Sequence, residues 1–78
     1  MQAIADKHFS RGEADRLVGR RVRAHSLYGY VPDGTTGQIV RAEEVTLGRF
    51  ALVVEFDDER RQNDWFTRAA FQQFLTEA

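Results

Sequence analysis

The 78-residue sequence contains no cysteine. A disulfide framework and a thiolate zinc site are therefore both excluded, and a small secreted scaffold held by cross-links does not fit. Long apolar runs are missing too. The longest is Phe50 to Val54, far below the ~20 residues that a membrane-spanning helix requires. The N-terminus lacks the basic-then-apolar order of a signal peptide, and the expectation is a cytoplasmic chain with no membrane partner. There is a single proline, Pro32, so turns must rely on glycine and acidic residues. No large excess of either charge exists, because the net charge is −1, and the whole molecule exerts no long-range pull on nucleic acid.

What is present is an uneven distribution of charge and a change of apolar period. Residues 1–30 carry six basic residues against three acidic ones, and the remainder carries five against nine. Ser10-Arg11-Gly12-Glu13 has the spacing of a capping box, in which a hydroxyl and a carboxylate three residues apart satisfy two amide donors at a helix start. A helix over about 11–18 is expected, with Ala14, Leu17 and Val18 on one side and Gly19 ending it. Residues 1–9 have weak periodicity and are expected to fray, although Ile4 and Phe9 are candidates to dock.

From Arg21 the period becomes two, with Val22 and Ala24 inward and Arg21 and Arg23 outward. The stretch Leu27 to Thr35 reads as a long aromatic loop, since Pro32-Asp33-Gly34 is a turn signal. A second strand is predicted over Thr36 to Val45, a third over Phe50 to Phe56 with Leu52, Val54 and Phe56 on one face, and a fourth over Asn63 to Phe66. Its residues alternate, so Phe66 is expected inside and Trp65 partly exposed. Thr67 caps a C-terminal helix over about 68–77. Phe66 and Phe71 form its hydrophobic staple, while Phe71, Phe74 and Leu75 make its inward stripe and Arg68, Gln72, Gln73 and Glu77 face water. The expected class is mainly β with short flanking helices, as one domain over 1–78 whose strands occupy about 19–67. Phe50, Phe56, Phe66, Phe71 and Phe74 are expected to be mostly buried.

Gly19-Arg20-Arg21-Val22-Arg23, a loop, and then Asp33-Gly34-Thr35-Thr36-Gly37-Gln38-Ile39-Val40 resemble the opening hairpin of SH3-like small β-barrels, including KOW-type modules of ribosomal and transcription proteins. That resemblance implies a partly open barrel with an N-terminal short helix and a C-terminal capping helix. In it, Gly37 allows one strand to approach another closely where the sheet coils. The ending Asp64-Trp65-Phe66-Thr67 plus a helix is not part of the KOW pattern. Gly37-Gln38-Ile39-Val40 is also similar to the second strand of type II plasmid-borne dihydrofolate reductases, which implies an oligomeric pore-type enzyme as one alternative. Those enzymes carry Val-Gln-Ile-Tyr in a later strand where this chain has Asp64-Trp65-Phe66-Thr67, so no catalytic residue carries over.

No constellation for catalysis assembles. His8 and His25 are separated by a helix and a turn and have no nearby cysteine, Ser10 has a capping role and Ser26 lacks nucleophile-elbow surroundings. Asp57, Asp58, Glu59, Asn63 and Asp64 cluster around a turn without the spacing of a calcium loop, and no metal or other cofactor is expected. Two surfaces remain. Tyr28, Tyr30 and Trp65 are aromatics outside the core periodicity, suited to gripping a protein or peptide, and they make a non-enzymatic binding or assembly module the leading expectation. Arg16, Arg20, Arg21, Arg23, His25 and Arg41 are the only basic concentration, and a nucleic-acid-binding barrel is the alternative. A homo-oligomer is also expected, through apolar surface on the Val53 side of the third strand.

Overall fold

The structure, a computed structural model, describes residues 7–25, 31–58 and 60–78. Helix α1 (Arg11–Leu17) is followed by strands β1 (Arg21–Ala24), β2 (Thr36–Thr46), β3 (Arg49–Phe56) and β4 (Asn63–Phe66), then by helix α2 (Arg68–Phe74) and strand β5 (Leu75–Glu77). All neighbours are antiparallel, in the order β4-β3-β2-β1-β5. The fold is mainly β, an open antiparallel sheet with two short helices. No helix among the described residues is long and apolar enough to cross a membrane.

The predicted helix start forms as read. Glu13 N–H donates to Ser10 Oγ at 3.2 Å and Ser10 N–H donates to Glu13 Oε1 at 2.9 Å. Ala14 and Leu17 are buried, but Val18 is 38% exposed and leaves the apolar side assigned to it. The helix ends one residue earlier than expected, and the extended ψ of 131° at Val18 turns that side chain off the helix face. Gly19 then takes φ +94°, a conformation that costs glycine little, and its N–H donates to Ile39 C=O at 2.7 Å.

β1 and β4 follow the predicted alternation, β2 follows it as far as the bulge at Val40, and β3 is buried on both faces from Phe50 to Val54. Val22, Ala24, Ile39, Leu52, Val54, Phe56 and Phe66 are fully buried and share one core with Phe9, Ala14, Leu17, Phe50, Phe71 and Leu75. Val31 also enters this core, although it belongs to the segment read as loop. Edge-to-face ring pairs join Phe9 to Phe71 at 5.7 Å and Phe56 to Phe66 at 6.1 Å, a geometry that sets the positive ring edge against the negative ring face. Phe74 is only half-buried.

Gly37 is where the chain comes closest to itself. A Cβ there would lie 2.8 Å from Glu55 C=O and 3.1 Å from side-chain atoms of Val54 and Phe56. β2 is long because it bends: its register against β3 shifts between Ile39 and Arg41 and again between Glu44 and Thr46. Each shift is a bulge that inserts an extra residue and increases local twist.

The C-terminus corrects the expectation of a helix to about residue 77. α2 starts on Thr67, whose side chain accepts from Ala70 N–H at 3.2 Å, but it stops at Phe74. Leu75 takes β geometry, and Leu75, Thr76 and Glu77 pair with Ala24, Arg23 and Val22. The free edge of β1 explains the switch: His25 N–H donates to Phe74 C=O at 2.9 Å and Ala78 N–H to Arg21 C=O at 3.0 Å. Helical spacing cannot report a partner strand from the other end of the chain. Leu75 is still buried, now as a strand residue. Arg68 is a second correction, since it does not simply face water. Its NH2 donates to Glu13 Oε1 at 2.9 Å, tying α2 to α1, and its Nε is buried without a hydrogen-bond partner among the described residues.

Candidate binding surface

β4 places the one tryptophan of the chain. Along Asn63-Asp64-Trp65-Phe66 the alternation puts Phe66 in the core, while Trp65 is 61% exposed on the opposite face. Trp65 is in register with Val53 on β3, and Val53 with Arg41 on β2. Residues directly opposite across antiparallel strands share a face, so Arg41, Val53 and Trp65 form one transverse row. Gln38, Glu55 and Asn63 make the adjoining row on one side, and Glu43 with Ala51 the next on the other. Val40 is the bulge residue beside Arg41 and is partly exposed.

This geometry overturns the reading of the Val53 side as bare apolar surface. Val53 is 1% exposed and Ala51 is buried as well, although neither belongs to the main core cluster. Their register neighbours are long: the Trp65 ring lies on one side, and on the other the stem of Arg41, whose Nε donates to Glu43 Oε2 at 2.8 Å. Such side chains cover apolar floor with their stems while their polar ends stay in water. The apolar area presented here is the indole, with Val40 beside the row.

Three of the six basic residues are in ion pairs. Arg20 is 3.5 Å from Glu77, Arg21 pairs with Asp57, and Arg41 with Glu43. Asp57 also accepts from Thr36 Oγ1 at 2.8 Å. The hydrogen bonds from Arg21 and then Thr36 hold the Asp57 carboxyl below its ordinary range. Acidic residues from the rest of the chain thus pair with two of the six cations of residues 1–30, Arg20 and Arg21. Arg16 lies in the last turn of α1, and Arg23 is exposed on β1. His25 is half-buried, with its Nε2 inside and unpartnered among the described residues.

Tyr28 and Tyr30, read as contact residues with Trp65, lie outside the described residues, as does Ser26. The turn carboxylates are engaged locally: Asp58 accepts from Gln62 N–H at 3.1 Å and from Gln62 Nε2 at 2.9 Å, and Asp64 accepts from Trp65 N–H at 2.8 Å. Among the described residues no group of three or more His, Asp or Glu is placed to hold a metal ion. Ser10 is engaged by Glu13 N–H. In Asp64-Trp65-Phe66-Thr67, Phe66 is in the core and Thr67 caps α2, which leaves Trp65 as the side chain presented outward. Alternation along one strand exposes Trp65 in the sequence. It does not reveal that Arg41 stands in the same row, because the bulge at Val40 changes the phase of β2.

No family model matches the chain, and neither the curated proteins nor the solved structures include a significant match to it.

Proposed function

We propose that the protein is a non-enzymatic protein-binding or assembly module whose contact residue is Trp65, set in the Arg41–Val53–Trp65 row of the outer sheet face. The observation that carries this reading is a tryptophan 61% exposed beside a valine that is 1% exposed. A large flat ring at the end of a closed, well-packed floor has little to lose in conformational entropy when a partner covers it, and this is why tryptophans dominate binding energy at protein interfaces. The same reading treats the sheet as an SH3-like partly open barrel. Its support is the meander β4-β3-β2-β1 with β5 returning to the far edge of β1, the double bend of β2, and the close approach at Gly37.

Trp65 is the only tryptophan, so its emission reports contact directly. Immobilised wild type and the Trp65→Ala and Tyr30→Ala variants are compared for capture of protein partners from cell extract, and captured partners are then titrated against the free chain. The expected result is a blue-shifted indole emission on binding and at least a tenfold weaker affinity for Trp65→Ala, about 1.4 kcal/mol. Equal capture by folded wild type and Trp65→Ala overturns the proposal.

A further inference from the structure

β4 is an outer strand, paired with β3 along one side and, among the described residues, with no strand on the other. Hydrogen-bond alternation decides which of its backbone groups face the open side. Phe56 N–H donates to Gln62 C=O at 2.9 Å, so the pairs Phe56–Gln62, Val54–Asp64 and Leu52–Phe66 exchange ladder bonds. The backbone groups of Asn63 and Trp65 therefore point outward. Trp65 N–H does not stay open, because it donates to Asp64 Oδ1 at 2.8 Å. Asp64 is in register with Val54, and Val54 with Ile39, both fully buried. Its carboxylate thus belongs to the inward face of an outer strand, an arrangement that blunts edge-to-edge pairing in β proteins.

We propose that the outer edge of β4 is a strand-addition site for β4 of a second copy of this chain, held closed by Asp64. The edge is self-complementary. Antiparallel pairing about a two-fold axis at Asp64 sets Asn63 of one copy opposite Trp65 of the other, twice, and each outward N–H meets an outward C=O. Asp64 opposes this in two ways. It occupies the Trp65 N–H, and the two-fold brings the two carboxylates directly opposite each other in a non-hydrogen-bonded pair with a Cα separation of about 4.5 Å, where like charges destabilise pairing. The inference is independent of what the Trp65 indole contacts, since the ring stands on the sheet face and the site is the strand edge.

Sedimentation velocity over a concentration series, with amide hydrogen exchange, compares wild type, Asp64→Ala and Asp64→Asn. Asp64→Ala is expected to self-associate at least tenfold more tightly than wild type, with the Asn63 and Trp65 amides gaining protection. Asp64→Asn keeps an acceptor and loses the charge, and it falls between the two. In wild type alone, the Trp65 amide exchanges more slowly than the outward-facing Asn63 amide. Folded Asp64→Ala that sediments like wild type overturns the proposal, as does association that leaves both amides unprotected. Should Asp64→Ala fail to fold, equally fast exchange at Asn63 and Trp65 in wild type overturns it.

Discussion

At the scale of single residues, Trp65 and Gly37 have opposite surroundings. Trp65 needs solvent on one side, and Gly37 has no room on any. A Cβ at Gly37 would meet the Glu55 carbonyl oxygen at 2.8 Å, a backbone atom that cannot rotate away as a side chain can. Gly37→Ala is expected to destabilise the fold by about 1–3 kcal/mol, the range for overpacked sites. Urea unfolding should show this as a lower midpoint at unchanged slope. Gly12 has open space around it, so Gly12→Ala serves as the control and should not lose stability, since alanine is the better helix former. The role of Gly37 is legible in the sequence, because a glycine within a strand marks a bend or a close approach. Which backbone atom it approaches is not, because that depends on the register of β2 against β3.

At the scale of elements, β5 is the instructive case. Phe71, Phe74 and Leu75 satisfy helical spacing, and nothing nearby in the sequence argues against a helix running on. The switch to a strand at Leu75 satisfies backbone groups along β1 that would otherwise lie bare. Bonds at His25–Phe74 and Arg21–Ala78 flank the pair Arg23–Thr76, so alternation makes that pair hydrogen-bonded too, with the Thr76 N–H facing β1 and the Glu77 N–H facing outward. Thr76→Pro is therefore expected to lower stability by about 1–3 kcal/mol, the cost of a backbone acceptor left without its donor. Glu77→Pro should cost about 1 kcal/mol or less, reflecting only the exposed pair with Arg20. Thermal melts of the two variants separate a β5 strand from a continued helix, in which both prolines would be comparably damaging. The capped starts of α1 and α2 needed no such context: Ser10 with Glu13, and Thr67 with Ala70, act within one turn.

At the scale of the whole molecule, the uneven charge of the chain becomes a set of ties between distant segments. Arg21 holds Asp57 across 36 positions, and Arg68 holds Glu13 across 55. Both carboxyls have pKa values below their ordinary 3.8 and 4.5, Asp57 through the Arg21 and Thr36 hydrogen bonds and Glu13 chiefly through the Ser10 backbone N–H. A carboxyl whose folded pKa is lowered adds stability that is complete above the unfolded value and disappears as pH falls through the folded one. Stability is thus expected to decline as the pH drops below 4.5 and then 3.8. The double variant Asp57→Asn with Glu13→Gln should flatten that part of the profile, measured as melting temperature against pH. Wild type and double variant falling in parallel would assign the acid sensitivity to other groups. Both pairs are solvent-accessible, so the effect is modest and salt-sensitive.

The sequence by itself determined what lies within a turn or along one strand: the helix starts at Ser10 and Thr67, the alternation that buries Leu52, Val54, Phe56 and Phe66, and the outward side of Trp65. These depend on bond geometry and on neighbours two to four residues apart. Tertiary structure alone decided that Leu75 to Glu77 would be a strand, that Val53 would be covered, that Arg41 would stand beside Trp65, and that Arg21 and Arg68 would be paired. Each of those outcomes requires a surface made by another part of the chain, a bare strand edge, a facing row or an opposite charge, and such a surface exists only once the sheet has formed.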